Sequence, residues 1–61
     1  MAGKRWVTAD GLWRVTRVEL DGIPRLRAET RGVLGWIWRG DFPSLALAQA
    51  AVPGELREAR P

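Results

Sequence analysis

Side chains able to do covalent or acid–base chemistry are scarce in this sequence, which has no His, no Cys and no Tyr. That removes the usual general bases and most nucleophiles. Ser44 has no histidine to activate it, and its place just ahead of an apolar stretch suits a helix cap. Asp10 and Asp21 each precede a glycine, as turn residues do, and Asp41, Glu55 and Glu58 show no spacing suited to paired acid–base work. Soft and borderline metals find no ligand set, and the glycine patterns that cradle phosphate are missing. The expectation is a non-enzymatic protein with no metal and no cofactor.

Two residue types stand out instead. Nine of the ten basic residues are arginine, and there are four tryptophans: Trp6, Trp13, Trp36 and Trp38. The formal net charge is +3 and the isoelectric point about 11.1, which favours an anionic partner. Arginine forks suit phosphates, guanine edges and carboxylates, although a GC-rich coding sequence enriches arginine as well. Each indole can bury roughly 150–250 Å², so the tryptophans serve either as core or as stacking platforms for exposed bases.

Something must position these groups, and at 61 residues it is one domain with a thin core. Disulfides cannot staple it, so the tryptophans are expected to do that work. The lack of Cys fits a reducing compartment. No run approaches the ~18 apolar residues of a membrane span, and Lys4-Arg5 leads into Trp-Val-Thr rather than the apolar run of a secretory signal. The reading is a soluble, cytoplasmic protein without a membrane partner.

Glycine and proline cut the chain into short pieces. Asp10-Gly11 and Asp21-Gly22 sit between strand-like runs, and Asp-Gly is a strong hairpin signal. Thr30-Arg31-Gly32 reads as a three-residue hairpin loop with Gly32 left-handed. Leu45 to Val52 has helical apolar spacing, with Ser44 or Asp41 as cap and Pro53-Gly54 as stop. The fold class expected is α+β: an antiparallel meander of three to four strands with one C-terminal helix packed on one sheet face. Its ordered core covers about 4–53. The tail, 54–61, is expected to be mobile or to add one helical turn anchored by Leu56.

These turns fix a register. They pair Trp6 with Val15, Val15 with Ala28, Arg17 with Leu26, Leu26 with Trp36, and Pro24 with Trp38. Paired residues share a face, so all four indoles are expected on one side with Val15, Leu26, Ala28 and Leu34, under the helix. On this reading Trp36 is core, and truncating it to Ala costs about 3–5 kcal/mol. A one-residue slip in the last loop sends Trp36 and Trp38 to the other side. The functional alternative to a core role makes Trp36 and Trp38 stacking platforms for exposed bases, with Arg39 guarding the backbone. The opposite face carries Arg14, Thr16, Val18, Arg25, Arg27, Glu29, Val33, Gly35 and Ile37, with Arg31 in the neighbouring loop. It is either an ordinary solvated face or a contact surface able to enter the major groove of DNA.

The run Gly11-Leu12-Trp13-Arg14-Val15, the Asp21-Gly22 turn, and Phe42-Pro43-Ser44 followed by Ala48 and Ala51 resemble the arm-type DNA-binding domain of tyrosine integrases. The likeness covers roughly residues 11 to 52. It implies three strands and a helix, a sheet laid in the major groove, and Arg14, Arg25 and Arg27 facing the bases. The N-terminal strand and the lack of a following catalytic domain depart from that family. The reading is therefore an accessory or regulatory protein of a phage or mobile element that binds double-stranded DNA through Arg14, Arg25, Arg27, Arg31 and Arg39. The rival is a protein-binding regulator or inhibitor. Val33 to Arg39 would be an apolar edge strand that pairs with a host protein or forms a homodimer.

Overall fold

The computed structural model describes residues 4–59. The chain runs β1 (Arg5–Thr8), β2 (Trp13–Leu20), β3 (Ile23–Gly32), β4 (Gly35–Phe42), α1 (Leu45–Ala51) and β5 (Leu56–Glu58). All pairings are antiparallel, and the strands lie in the order β4-β3-β2-β1-β5. The α+β meander read from the sequence is the fold, enlarged by a fifth strand.

The Asp21-Gly22 turn forms as its residues dictate. At Asp10-Gly11 the Gly11 amide donates to the Thr8 carbonyl at 3.0 Å and Gly11 alone is left-handed, so that loop is longer than the two residues expected. Asp21 and Gly22 both take positive φ, 53° and 76°, as a type I′ turn requires, and close Leu20 onto Ile23. At the other turn the buried Thr8 hydroxyl donates to Asp10 Oδ1 at 2.6 Å and accepts from the Trp13 amide at 3.2 Å. Asp10 Oδ1 also takes the Leu12 amide at 3.0 Å. These bonds, the one from Thr8 first, stabilise the Asp10 carboxylate and hold its pKa below the ordinary value. Trp6 meets Val15, and Val15 meets Ala28, in the expected register.

The third turn differs. Its tip is Val33-Leu34, with Gly32 paired to Gly35, so β3 is longer than the polar Thr30-Arg31-Gly32 signal suggests. At Gly32 a Cβ would lie 2.6 Å from Ile37 Cδ1, the movable end of an exposed side chain. The new register sets Trp36 opposite Arg31, Ile37 opposite Thr30 and Trp38 opposite Glu29. A β-bulge follows, in which Arg39 is the extra residue, and Gly40 then meets Ala28, Asp41 meets Arg27 and Phe42 meets Leu26. The expectation of four indoles on one face is thereby corrected. Trp6 and Trp13 pack against the core, whereas Trp36 and Trp38 lie on the opposite face. Leu34 is not a core residue but stands at the hairpin tip, as exposed as Val33.

The core itself is small. Val15, Ala28, Ala48 and Val52 are its buried members, with Trp6, Trp13, Leu26, Phe42, Leu45 and Leu56 packed around them. Ser44 caps the helix by accepting from the Leu47 amide, and Asp41 is occupied elsewhere. The helix reaches the sheet through Ala48 and Val52, while Leu47 is exposed; it is an anchor at one point rather than a lid across the face.

In place of the expected helical turn in the tail, Leu56–Glu58 pairs with β1, and Leu56 joins the core. Gln49 secures this strand, donating to the Gly54 carbonyl and accepting from the Leu56 amide at 2.7 Å. Residues 60 and 61 of that tail lie outside the described residues.

Candidate nucleic-acid interface

The face opposite the helix can be built row by row, because residues paired across strands share a side. One row crosses all five strands: Arg57, Val7, Arg14, Glu29 and Trp38. The next holds Arg5, Thr16, Arg27 and Asp41. Arg31 and Trp36 form a pair on one flank, and Val18 and Arg25 a pair on the other. The face thus gathers Arg5, Arg14, Arg25, Arg27, Arg31 and Arg57 against the two carboxylates Glu29 and Asp41. Its two indoles lie together at the β4 edge.

The carboxylates organise this surface. Arg14 Nε donates to Glu29 Oε1 at 2.9 Å, directly across the β2–β3 ladder. Held there, the Arg14 guanidinium lies over the Trp36 ring, 4.1 Å from its centroid, in cation–π contact. Asp41 Oδ1 accepts from Arg27 Nε at 3.0 Å and from Trp38 Nε1 at 3.2 Å. Its acidity is raised chiefly by the Arg27 hydrogen bond, which holds the carboxyl below its usual range, and the Trp38 bond adds to this. The same pairing pushes the Arg27 guanidinium up. One carboxylate therefore fixes an arginine and an indole together. Trp36, under its guanidinium, is 37% exposed, and Trp38 is 60% exposed with its edge tethered and its ring open.

The residues singled out in the sequence divide by role. Arg14 and Arg27 share the face but are already ion-paired. Arg25 and Arg31 share it without a carboxylate partner among the described residues, and Arg31 belongs to strand β3 rather than a loop. Arg39 is the exposed bulge residue of β4, displaced from the ladder. Ile37, expected here, is on the other side opposite Thr30. Arg5 and Arg57 were missed: Arg5 could have been found by extending the β1 register, and Arg57 only by knowing that β5 exists.

No group of residues suited to hold a metal occurs among the described residues. No helix among them is long and apolar enough to cross a membrane. Compared with known proteins, the chain matches no family model, no curated protein and no solved structure. Its role has to be reasoned from this surface.

Proposed function

We propose that the chain is a small, non-enzymatic nucleic-acid-binding protein, a cytoplasmic accessory or regulatory factor whose arginine–tryptophan sheet face is the contact surface. The observation that carries this reading is the segregation of side chains. Six arginines and the two most exposed indoles share the face turned away from the core, with only two carboxylates among them. An ordinary solvated face would mix charges more evenly, and here the 60% exposed indole stands among the arginines. The arginines supply the electrostatic attraction, which is sequence-independent, and the indoles and forks supply contacts to bases.

The test is binding of labelled oligonucleotides, single- and double-stranded, to the wild type and to Arg25→Gln/Arg31→Gln. Both substituted residues are peripheral to the core, so the variant should fold as the wild type does and lose most of its affinity for every nucleic acid. Retention of full affinity would remove this face from consideration.

A second reading, a protein partner or a second copy, rests on the hairpin tip. Val33 and Leu34 are both 102% exposed, next to Ile37 on edge strand β4. Apolar edges invite strand pairing. Val33→Ser/Leu34→Asn should abolish such an association, measured by light scattering or capture of a host protein, and leave oligonucleotide binding intact.

A further inference from the structure

Duplex and single-stranded nucleic acid ask different things of a protein surface, and the face described above is suited to one of them. A side chain entering the major groove reads base edges between two strands of phosphate, which favour net positive charge. Here the two central arginines, Arg14 and Arg27, already donate their Nε protons to Glu29 and Asp41. Those carboxylates stand among the arginines on β3 and β4, where the two phosphate strands lining a groove would repel them. The indoles argue in the same direction. In an intact duplex the flat faces of bases are covered by their neighbours, so an exposed indole finds only edges, whereas unpaired bases offer their faces for stacking.

The platform is also held ready. Trp38 is tethered at Nε1 to Asp41, which leaves its ring open. Trp36 lies beneath the Arg14 guanidinium, itself a plane on which a base can stack. Trp36 and Trp38 stand on one side of β4, and Arg31 lies directly across from Trp36. Arg57 ends the row that Trp38 begins, Arg5 stands in the next row and Arg25 in the one beyond it.

Resting on the nucleic-acid reading above, we infer that the ligand is unpaired nucleic acid. One base stacks on the Trp38 ring and a neighbour on the Arg14–Trp36 stack, while Arg25, Arg31, Arg5 and Arg57 hold the phosphates. Glu29 and Asp41 are positioning residues: they place the guanidinium and the indole and do not contact phosphate.

The experiment compares a fluorescein-labelled oligo-dT, an oligo-rU of the same length, and a hairpin duplex with equal phosphate number, by anisotropy. Wild type, Trp38→Ala, Trp38→Phe and Arg25→Gln/Arg31→Gln are each titrated, with folding checked by circular dichroism. The expected result is at least one single strand bound about ten-fold tighter than the duplex. Trp38→Ala should lose about ten- to a hundred-fold on the single strand, the range for one base–aromatic stack, and little on the duplex. Trp38→Phe, which keeps a ring, should recover part of the loss. The dT and rU arms say whether DNA or RNA is the source, and tighter binding of either supports the inference. Duplex bound as tightly as both single strands, with Trp38→Ala neutral, overturns it; if the double arginine variant then loses duplex binding, the face reading stands without it. No binding to any of the three at low salt overturns both.

Discussion

Raising salt from 50 to 200 mM should weaken the complex with a single strand by about 50-fold, and that figure follows from which arginines are already neutralised. Arg14 and Arg27 hold carboxylates at 2.9 and 3.0 Å, so each pair brings no net charge to the nucleic acid. Arg5, Arg25 and Arg31 have no carboxylate partner among the described residues, and the ion pair found there for Arg57 is to an exposed Glu55 at 4.0 Å, a contact of little weight in water. Four phosphate contacts at a slope of about −0.7 each give a log–log salt dependence of about −2.8 on a single strand. Were all six arginines engaged, the slope would be about −4.2 and the loss about 340-fold over the same interval. Anisotropy titrations at several salt concentrations distinguish these values. Arg31→Gln should flatten the slope by about 0.7, whereas Glu29→Gln, which sets Arg14 free, should steepen it by about as much. A wild-type slope of −4 or steeper would refute the reasoning, because it would mean that the ion pairs open to reach phosphate. A slope near zero would mean that no phosphate is held at all.

The other predictions concern the scaffold. Val15→Ala empties the largest fully buried side-chain site; it should cost about 2–3 kcal/mol and lower Tm by roughly 10–20 °C in a domain this small. Trp36→Ala, on the open face, should cost only about 1–2 kcal/mol, much of it the lost Arg14 contact, and equal losses for the two variants in thermal unfolding would argue against the register of β4. Gly40→Ala should destabilise by about 1–3 kcal/mol, because Gly40 has φ 147° and a Cβ would lie 3.2 Å from the Phe42 ring; a wild-type melting curve would speak against the bulge. Acid should release Trp38. The folded pKa of Asp41 lies below its ordinary value of 3.8, so its contribution to stability is complete above that value and fades as pH falls through the lower folded value. The acid-induced change in tryptophan fluorescence should be smaller in Asp41→Asn than in wild type; identical titrations would exclude Asp41 as the tether.

What could be read from the sequence, and what could not, turns on how local each signal is. Asp21-Gly22 specifies its turn within two residues, and the pairings of Trp6, Val15 and Ala28 follow from it and its neighbour by counting. The helix is similarly local, from the Ser44 cap to the Pro53-Gly54 stop. Strand β5 is three residues with one apolar side chain, and what defines it is a long-range partnership with β1 and Gln49, which no nearby residue announces. The third hairpin is more instructive. Its tip is apolar, Val33-Leu34, so the rule that turns are polar favours the wrong three residues. Counting from the correct tip alone would still fail. An unbulged β4 would put Arg39 and Asp41 on the core side and Phe42 in solvent. Carrying the Arg27–Asp41 register unbroken to the tip would keep that pair and Phe42 in place but turn Trp36 and Trp38 to the core side, opposite Gly32 and Thr30. The bulge at Arg39 satisfies both ends of the strand: it lets Phe42 join the core and Asp41 meet Arg27 and Trp38, while the indoles stay outside. Gly40, at a backbone angle few other residues accept, is the one sequence sign of it. The pattern of alternation changes phase there because one face of β4 serves the core and the other face serves the candidate site. A single extra residue thus leaves Trp36 and Trp38 outside, among the arginines of the open face.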